Sequence, residues 1–333
     1  MQVLSPYSKQ GYRLIACFLA FFICTTYLFA QENSTINKVD SSSFQQSDLI
    51  NTRSVYLAKS DSASSKKHLY KINYWVTGGF LAAITAGNLY AIPNIIHGKK
   101  DMTDEEVLAL NKNNVGWFNR WALEQDPRHY EAAYKFTDYF LPAIVVGSGA
   151  WVALNKDSRK DFWQIALMYL EMHGIALTIY DFSPLGPNFQ NRVRPLSYYD
   201  YFSMADRKAG NQKNSFFSGH VADATAASFF AVKVYSDYHP EIGSKKYLYY
   251  ALASIPPLFE GYMRIRALAH FPTDVLAGFG IGATLGIVVP QLHKDKHYNV
   301  QLSMFSSPLG QQGMTVRWNP QYKQHKLLSD FHS

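Results

Sequence analysis

Three short stretches concentrate the side chains that could do chemistry. RIRALAHFPTD, residues 264–274, holds an arginine, a histidine and a carboxylate. Pro272 has a fixed φ and no N–H, so it suits the first position of a helix and pushes Phe271 towards an extended conformation. Residues 264–271 therefore read as a helix end plus a turn. Asp274 falls in the first turn of the next helix, where the dipole favours a carboxylate. From there its side chain can reach back towards the His270 ring and hold it in one tautomer. FQNRVRP, residues 189–195, offers Arg192 and Arg194, whose planar guanidiniums can each hold two oxygens. SFFSGH, residues 215–220, directly precedes an apolar segment. Ser218 can cap that helix, Gly219 lets backbone come close, and free N–H groups at a helix start face an anion.

Two histidines (His220 and His270), the arginines Arg192, Arg194 and Arg264, Asp274 and a helix N-terminus describe a phosphate-transfer site without metal. Plainer readings exist for each part. The His270–Asp274 pair can be a satisfied hydrogen bond, and Arg192 a solvated surface arginine. A two-histidine metal site on His220 and His270 lacks a further carboxylate or histidine at ligand spacing, so neither metal nor cofactor is expected. His173 is read as structural.

The spacing Arg-x5-His-x3-Asp, preceded by Ser-Gly-His and before that by Arg-Pro, resembles the type 2 phosphatidic acid phosphatase superfamily. That superfamily includes lipid phosphatases, bacterial acid phosphatases and vanadium haloperoxidases. The resemblance covers roughly residues 115–292. It implies that His270 attacks phosphorus, that Asp274 supports it, and that His220 is the acid and then the base. It further implies that Arg194, Arg264, Ser218 and the Gly219 N–H hold the phosphate oxygens. Three positions depart from the pattern: Pro187 stands where the family has a lysine, Phe217 replaces a proline, and Met263 replaces a serine. The missing lysine is an oxyanion ligand in the family; Arg192 or Lys213 is a candidate substitute.

The elements that must position these groups are helices. The chain has 333 residues, of which 47% are hydrophobic and 15% aromatic, enough for a sizeable core. Residues 1–30 read as a signal peptide, with Lys9 and Arg13 ahead of an apolar run and Leu28-Phe29-Ala30 as a cleavage site. Residues 31–69 are a polar lead-in rich in Ser, Asn, Gln, Asp and Lys. Residues 70–295 carry apolar segments at about 72–96, 136–155, 161–182, 219–236, 246–266 and 272–292. Without β-alternation they predict an all-α bundle of about six core helices. Thr103 reads as an N-cap between the first two. Gly278, Gly282 and Gly286, four apart, form a face that admits a close neighbour. Residues 296–333 form a tail in which YNVQLSMF and GMTVRW alternate, a β-hairpin signal. The only cysteines, Cys17 and Cys24, lie in the leader, so a processed chain has no disulfide or thiol chemistry.

Net charge is +7 without a Lys/Arg-rich run or nucleic-acid motif, which points away from nucleic acid and towards anionic lipid or phosphate. The apolar runs sit at the short edge of bilayer-spanning length, and several carry charges. Lysine-rich loops at 155–161 and 243–246, and HKDKH at 293–297, lie at the end opposite the motifs. That puts the motifs outside the cytoplasm, whereas counting helices from a cleaved leader puts them inside. The expected activity is that of an exported, membrane-associated phosphatase with a periplasm-facing site. Its substrate is a phosphomonoester or pyrophosphate, such as lipid A, polyprenyl pyrophosphate, phosphatidate or phosphatidylglycerol phosphate. A soluble broad-specificity acid phosphatase, a vanadate-dependent haloperoxidase and a non-catalytic lipid-binding protein are the alternatives; the absent lysine argues against the haloperoxidase. Nothing in the sequence speaks to oligomeric state.

Overall fold

Apolar segments punctuated by proline, glycine and charge make helices here. The computed structural model describes residues 68–294, 300–306 and 312–318, and the first of these ranges contains helices but no strand. Helix α1 spans Tyr74–His97, α2 Tyr130–Leu154, α3 Phe162–Phe182 and α4 Gly219–Tyr238. Then come α5 at Lys246–Ala253, α6 at Ile255–Arg266 and α7 at Pro272–His293. The expected helix over 246–266 is broken at Ser254. Pro256 and Pro257 have no N–H with which to continue the α5 ladder, so they fall in the first turn of a new helix. Helix α2 starts earlier than its apolar run, because a 3₁₀ turn at Pro127–His129 leads straight into it. Thr103 does cap a helix, the short Asp104–Leu108: its Oγ1 accepts the Glu106 N–H at 3.1 Å, and Glu106 accepts the Thr103 N–H at 2.7 Å.

Helix α4 is central, with thirteen of its residues buried, and α7 lies along it. The glycine face is what allows this. A Cβ on Gly278 would stand 2.4 Å from the Ser218 carbonyl oxygen, one on Gly282 2.2 Å from that of Ala222, and one on Gly286 2.6 Å from that of Ala226. All three positions thus press helix backbone onto helix backbone, as the four-residue glycine spacing predicts.

Among the described residues, four segments are long and apolar enough to cross a membrane: Tyr74–Pro93, Pro127–Leu154, Arg159–Phe182 and Pro272–His293. Their outer faces are apolar and uncovered. Trp75 is 92% exposed, Tyr139 79% and Leu292 72%, a pattern that suits lipid rather than water. Several of the charges these helices carry are paired between helices. Glu171 of α3 meets His293 of α7 at 2.9 Å, and His173 of α3 meets Asp223 of α4 at 2.5 Å. At the end away from the motifs, Asp237 accepts from Tyr70 Oη at 2.9 Å, from Lys294 Nζ at 2.7 Å, and from Lys233. His173 is thus engaged with a neighbouring helix.

The leader and residues 31–67 lie outside the described residues. In the tail, β1 (Val300–Ser306) and β2 (Gln312–Trp318) pair antiparallel, with Val300 opposite Trp318 and Ser306 opposite Gln312.

The glycine face makes a discriminating prediction. Gly282→Ala drives a methyl into the Ala222 carbonyl and should destabilise the protein by about 1–3 kcal/mol. Gly280→Ala, on the open side of the same helix with nothing within 4 Å, should be neutral or stabilising by up to about 1 kcal/mol. Thermal unfolding of the two variants in detergent tests this; equal midpoints would refute the packing argument.

Candidate active site

The close contact between α4 and α7 brings the start of each helix to the same place. Ser218 and Gly219 begin α4, Pro272 begins α7, and the Ser218 N–H donates to the Asp274 carbonyl at 3.1 Å. The third element is the end of α6, which stops in a Schellman motif. The Ala269 N–H bonds the Arg264 carbonyl at 3.1 Å, the Leu268 N–H bonds that of Ile265 at 2.9 Å, and Leu268 takes a positive φ of 48°. This left-handed residue turns the chain from α6 into α7 and delivers His270 between them. Leu268 is fully buried, and its carbonyl accepts the Leu196 N–H at 3.1 Å, which ties the Arg194–Pro195 stretch to the same turn.

His270 is buried, and its Nδ1 lies 2.6 Å from the Ser215 carbonyl oxygen. A carbonyl can only accept, so Nδ1 carries the proton and Nε2 keeps its lone pair. Asp274 does not hold the ring as expected. Its carboxylate sits at the third position of α7, where it reaches back to the Phe271 N–H at 2.8 Å in preference to the imidazole. It also accepts from Ser215 Oγ at 2.6 Å and from Arg192 at 2.5 Å. Ser215 therefore stands between the two groups, its carbonyl on His270 and its hydroxyl on Asp274. Within SFFSGH the residue type alone gives this serine no role. The clue was its place just ahead of a helix start whose loop must face the His270 turn.

Arg192 is also placed differently from expectation. Its guanidinium bonds Asp274 at 2.5 Å and Thr273 Oγ1 at 2.8 Å, and it lies over the Phe271 ring at 4.7 Å. It braces the start of α7 and is not set up as a substitute for the lysine missing at Pro187. Arg194 keeps its head less committed, with two long contacts of 3.4 Å to the Asn214 carbonyl. Arg264 is almost wholly buried. It donates to Thr137 Oγ1 at 3.1 Å and stacks over Tyr134 at 4.9 Å, while its Nε has no protein partner. Ser218 Oγ is likewise buried and without a protein partner. Ser218, Gly219, Arg194 and Arg264 thus retain donors that a bound anion would accept.

The electrostatics follow from this crowding. Burial, and then the Arg264 and Arg194 charges, push His220 well below its ordinary value. The same causes act on His270, partly opposed by the Ser215 carbonyl. Both rings are therefore neutral at pH 7. For His270 that is the form with a free lone pair. An anionic phosphate between the arginines would reverse the local field and let His220 take up a proton.

Residues 166–298 match the PAP2 superfamily. That segment contains all three motif stretches and every residue just described as lining the site except Thr137 and Tyr134. No curated protein matches the chain. Among solved structures, one described as the first transmembrane PAP2 type phosphatidylglycerolphosphate phosphatase, from Bacillus subtilis, is 22% identical. The match covers 64% of this chain and 94% of that one, with a TM-score of 0.38.

The depressed histidines fix the sign of a pH effect. Both fold in the neutral form, whereas in the unfolded chain they bind protons below their ordinary value of 6.5. Stability is therefore lost as pH falls below that value, by up to about 1.4 kcal/mol per pH unit for each ring. The thermal midpoint of the detergent-solubilised protein should drop between pH 7 and pH 5. The double variant His220→Asn, His270→Asn should show a shallower drop; an unchanged slope would contradict the assignment of buried neutral rings.

Proposed function

We propose that this PAP2-superfamily chain is a membrane-embedded lipid phosphatase that works through a phosphohistidine on His270, without metal. The observation that carries this reading is the Nδ1 contact to the Ser215 carbonyl, which leaves Nε2 of a neutral, buried imidazole as the nucleophile. In the first step Nε2 attacks phosphorus, a P–N bond forms and the P–O bond to the lipid breaks. The departing oxygen takes its proton from His220. In the second step a water gives its proton to His220 and attacks phosphorus. The P–N bond breaks, and inorganic phosphate leaves with His270 restored. Arg194, Arg264, Ser218 Oγ and the Gly219 N–H hold the oxygens whose charge grows in both transition states. Asp274 acts one residue removed, through Ser215 and the start of α7. The exposed apolar faces of the four candidate spans favour a lipid phosphomonoester or pyrophosphate over a soluble one.

The test is phosphate release from phosphatidate, phosphatidylglycerol phosphate, a polyprenyl pyrophosphate and a soluble aryl phosphate, by wild type and His270→Ala, with and without EDTA. The lipid substrates should be turned over faster than the aryl phosphate. His270→Ala should lower turnover by at least about 1000-fold, and EDTA should have no effect. Unchanged turnover by His270→Ala would sink the mechanism, and loss with EDTA would point to a metal instead. Bromide oxidation with vanadate and peroxide would favour haloperoxidase chemistry.

The same reading places the site on the outer face of the membrane, because the lysine-rich loops at 155–161 and 243–246 lie at the other end of the bundle. With Cys17 and Cys24 replaced by serine, Asn113→Cys, in the segment whose Asn119 meets the start of α7, should react with an impermeant maleimide in intact cells. Ser244→Cys should react only after permeabilisation. The reverse pattern would turn the protein over.

A further inference from the structure

The family pattern places a lysine where this chain has Pro187, and Pro187 is buried in the turn after α3. A lysine from elsewhere in the chain comes to the same turn. Lys99, in the loop after α1, donates its Nζ to the Gln190 carbonyl, three residues beyond Pro187. It donates also to the Lys213 carbonyl at 3.1 Å. The neighbouring carbonyl, that of Asn214, is the one the Arg194 guanidinium contacts. The ammonium thus bridges the two site loops, 187–195 and 209–218, on the side where Arg194 lies.

The end of α1 and the loop that carries Lys99 are both fastened to the 209–218 loop and the helix before it. The Asn214 side chain donates to the Ile95 carbonyl at 2.8 Å, the Met102 N–H to the Lys208 carbonyl at 2.8 Å, and the Gly210 N–H to Asp101 at 2.8 Å. Gly210 is required there, since a Cβ would lie 2.0 Å from the Lys99 carbonyl oxygen. Two carbonyl contacts leave an ammonium with a third N–H. Burial, and then the nearby Lys213 and Arg194 charges, lower Lys99 to about 8, so it is still mainly a cation at neutral pH. Three positive groups are held together here by the fold, an arrangement that a bound anion would relieve.

We infer that Lys99 supplies the cation that the phosphate site lacks at Pro187, reaching it from the α1 loop and not from the family's own position. The inference rests on the phosphatase reading for its substrate, but not for the anion it binds. Its role is to bind phosphate oxygens beside Arg194 while bracing the two site loops.

The test uses the full chain in detergent and orthovanadate as the probe. Lys99→Met and Lys99→Gln should each raise the vanadate inhibition constant and lower kcat/KM for the lipid phosphate by roughly 10- to 100-fold. Lys99→Arg should recover part of both losses, and Lys213→Met should cost at least about threefold less than Lys99→Met in both. The Gln variant keeps a donor for the carbonyls without the charge, so it separates bracing from anion binding; it also serves if the Met variant does not fold. The inference is overturned if vanadate affinity in the folded Gln variant stays within twofold of wild type. It is overturned equally if Lys213→Met, and not Lys99→Met, carries the loss. Calorimetric titration with orthovanadate reads the same difference even if no phosphoester is turned over. Failure of the phosphatase reading and failure of the Lys99 assignment are therefore distinguishable.

Discussion

The site depends on how closely α7 can approach α4. Both histidines sit at or just before the first turn of one of these helices, so their separation is set by the interhelical distance. A Cβ at Gly278, Gly282 or Gly286 would strike a backbone carbonyl of α4 or its N-cap and force the backbones apart. The Ser218 N–H can then reach the Asp274 carbonyl across the junction. A bulkier residue on that face would separate His220 from His270 as well as loosening the bundle. Within lipid, where burying apolar surface gives little drive for helices to associate, close packing of this kind is a main source of stability.

On that scaffold the site gathers cations that, among the described residues, make no salt bridge to a carboxylate. Arg192 is the exception, since it pairs with Asp274 and completes the start of α7. Arg194 has only long contacts to a carbonyl, Arg264 has a hydroxyl and an aromatic face, and Lys99 has carbonyls. Burial first, and then the Arg264 and Arg194 charges, keep the two histidines neutral. Bringing these cations together is unfavourable, and a bound phosphate would both offset the charge and supply acceptors. In the proposed mechanism, binding an anion and preparing His220 as an acid are the same electrostatic event.

Much of this was legible in residue types. The Arg264–His270–Asp274 stretch read correctly as a helix end, a turn and a helix start, because Pro272 and the polar interruption dictate it. The glycine spacing anticipated a close helix contact, and Ser218–Gly219 anticipated a helix start. What the sequence hid were choices between equally reachable partners. Asp274 could reach the imidazole or the Phe271 N–H, and the capping position won. Arg192 could serve as a phosphate ligand or as the partner of Asp274, and a buried carboxylate claimed it. The break at Ser254 follows from two adjacent prolines that a continuous apolar run had concealed. Lys99 had no local signal at all, because its value comes from a fold that lays the α1 loop against residues 187–213.

The ionic contacts between the helices explain how such a charged interior is compatible with apolar spans. A carboxylate or imidazole in lipid is costly unless it is paired. Here Glu171 is matched with His293, His173 with Asp223, and Asp237 with Tyr70, Lys233 and Lys294. Each of these sets joins elements distant in sequence, so each specifies which helices are neighbours as well as neutralising a charge. The Asp237 set lies at one end of the bundle and the cationic site at the other. At the first, charge is satisfied by the protein itself. At the second the cations lack such partners, and that asymmetry is what marks the second cluster as the candidate functional one.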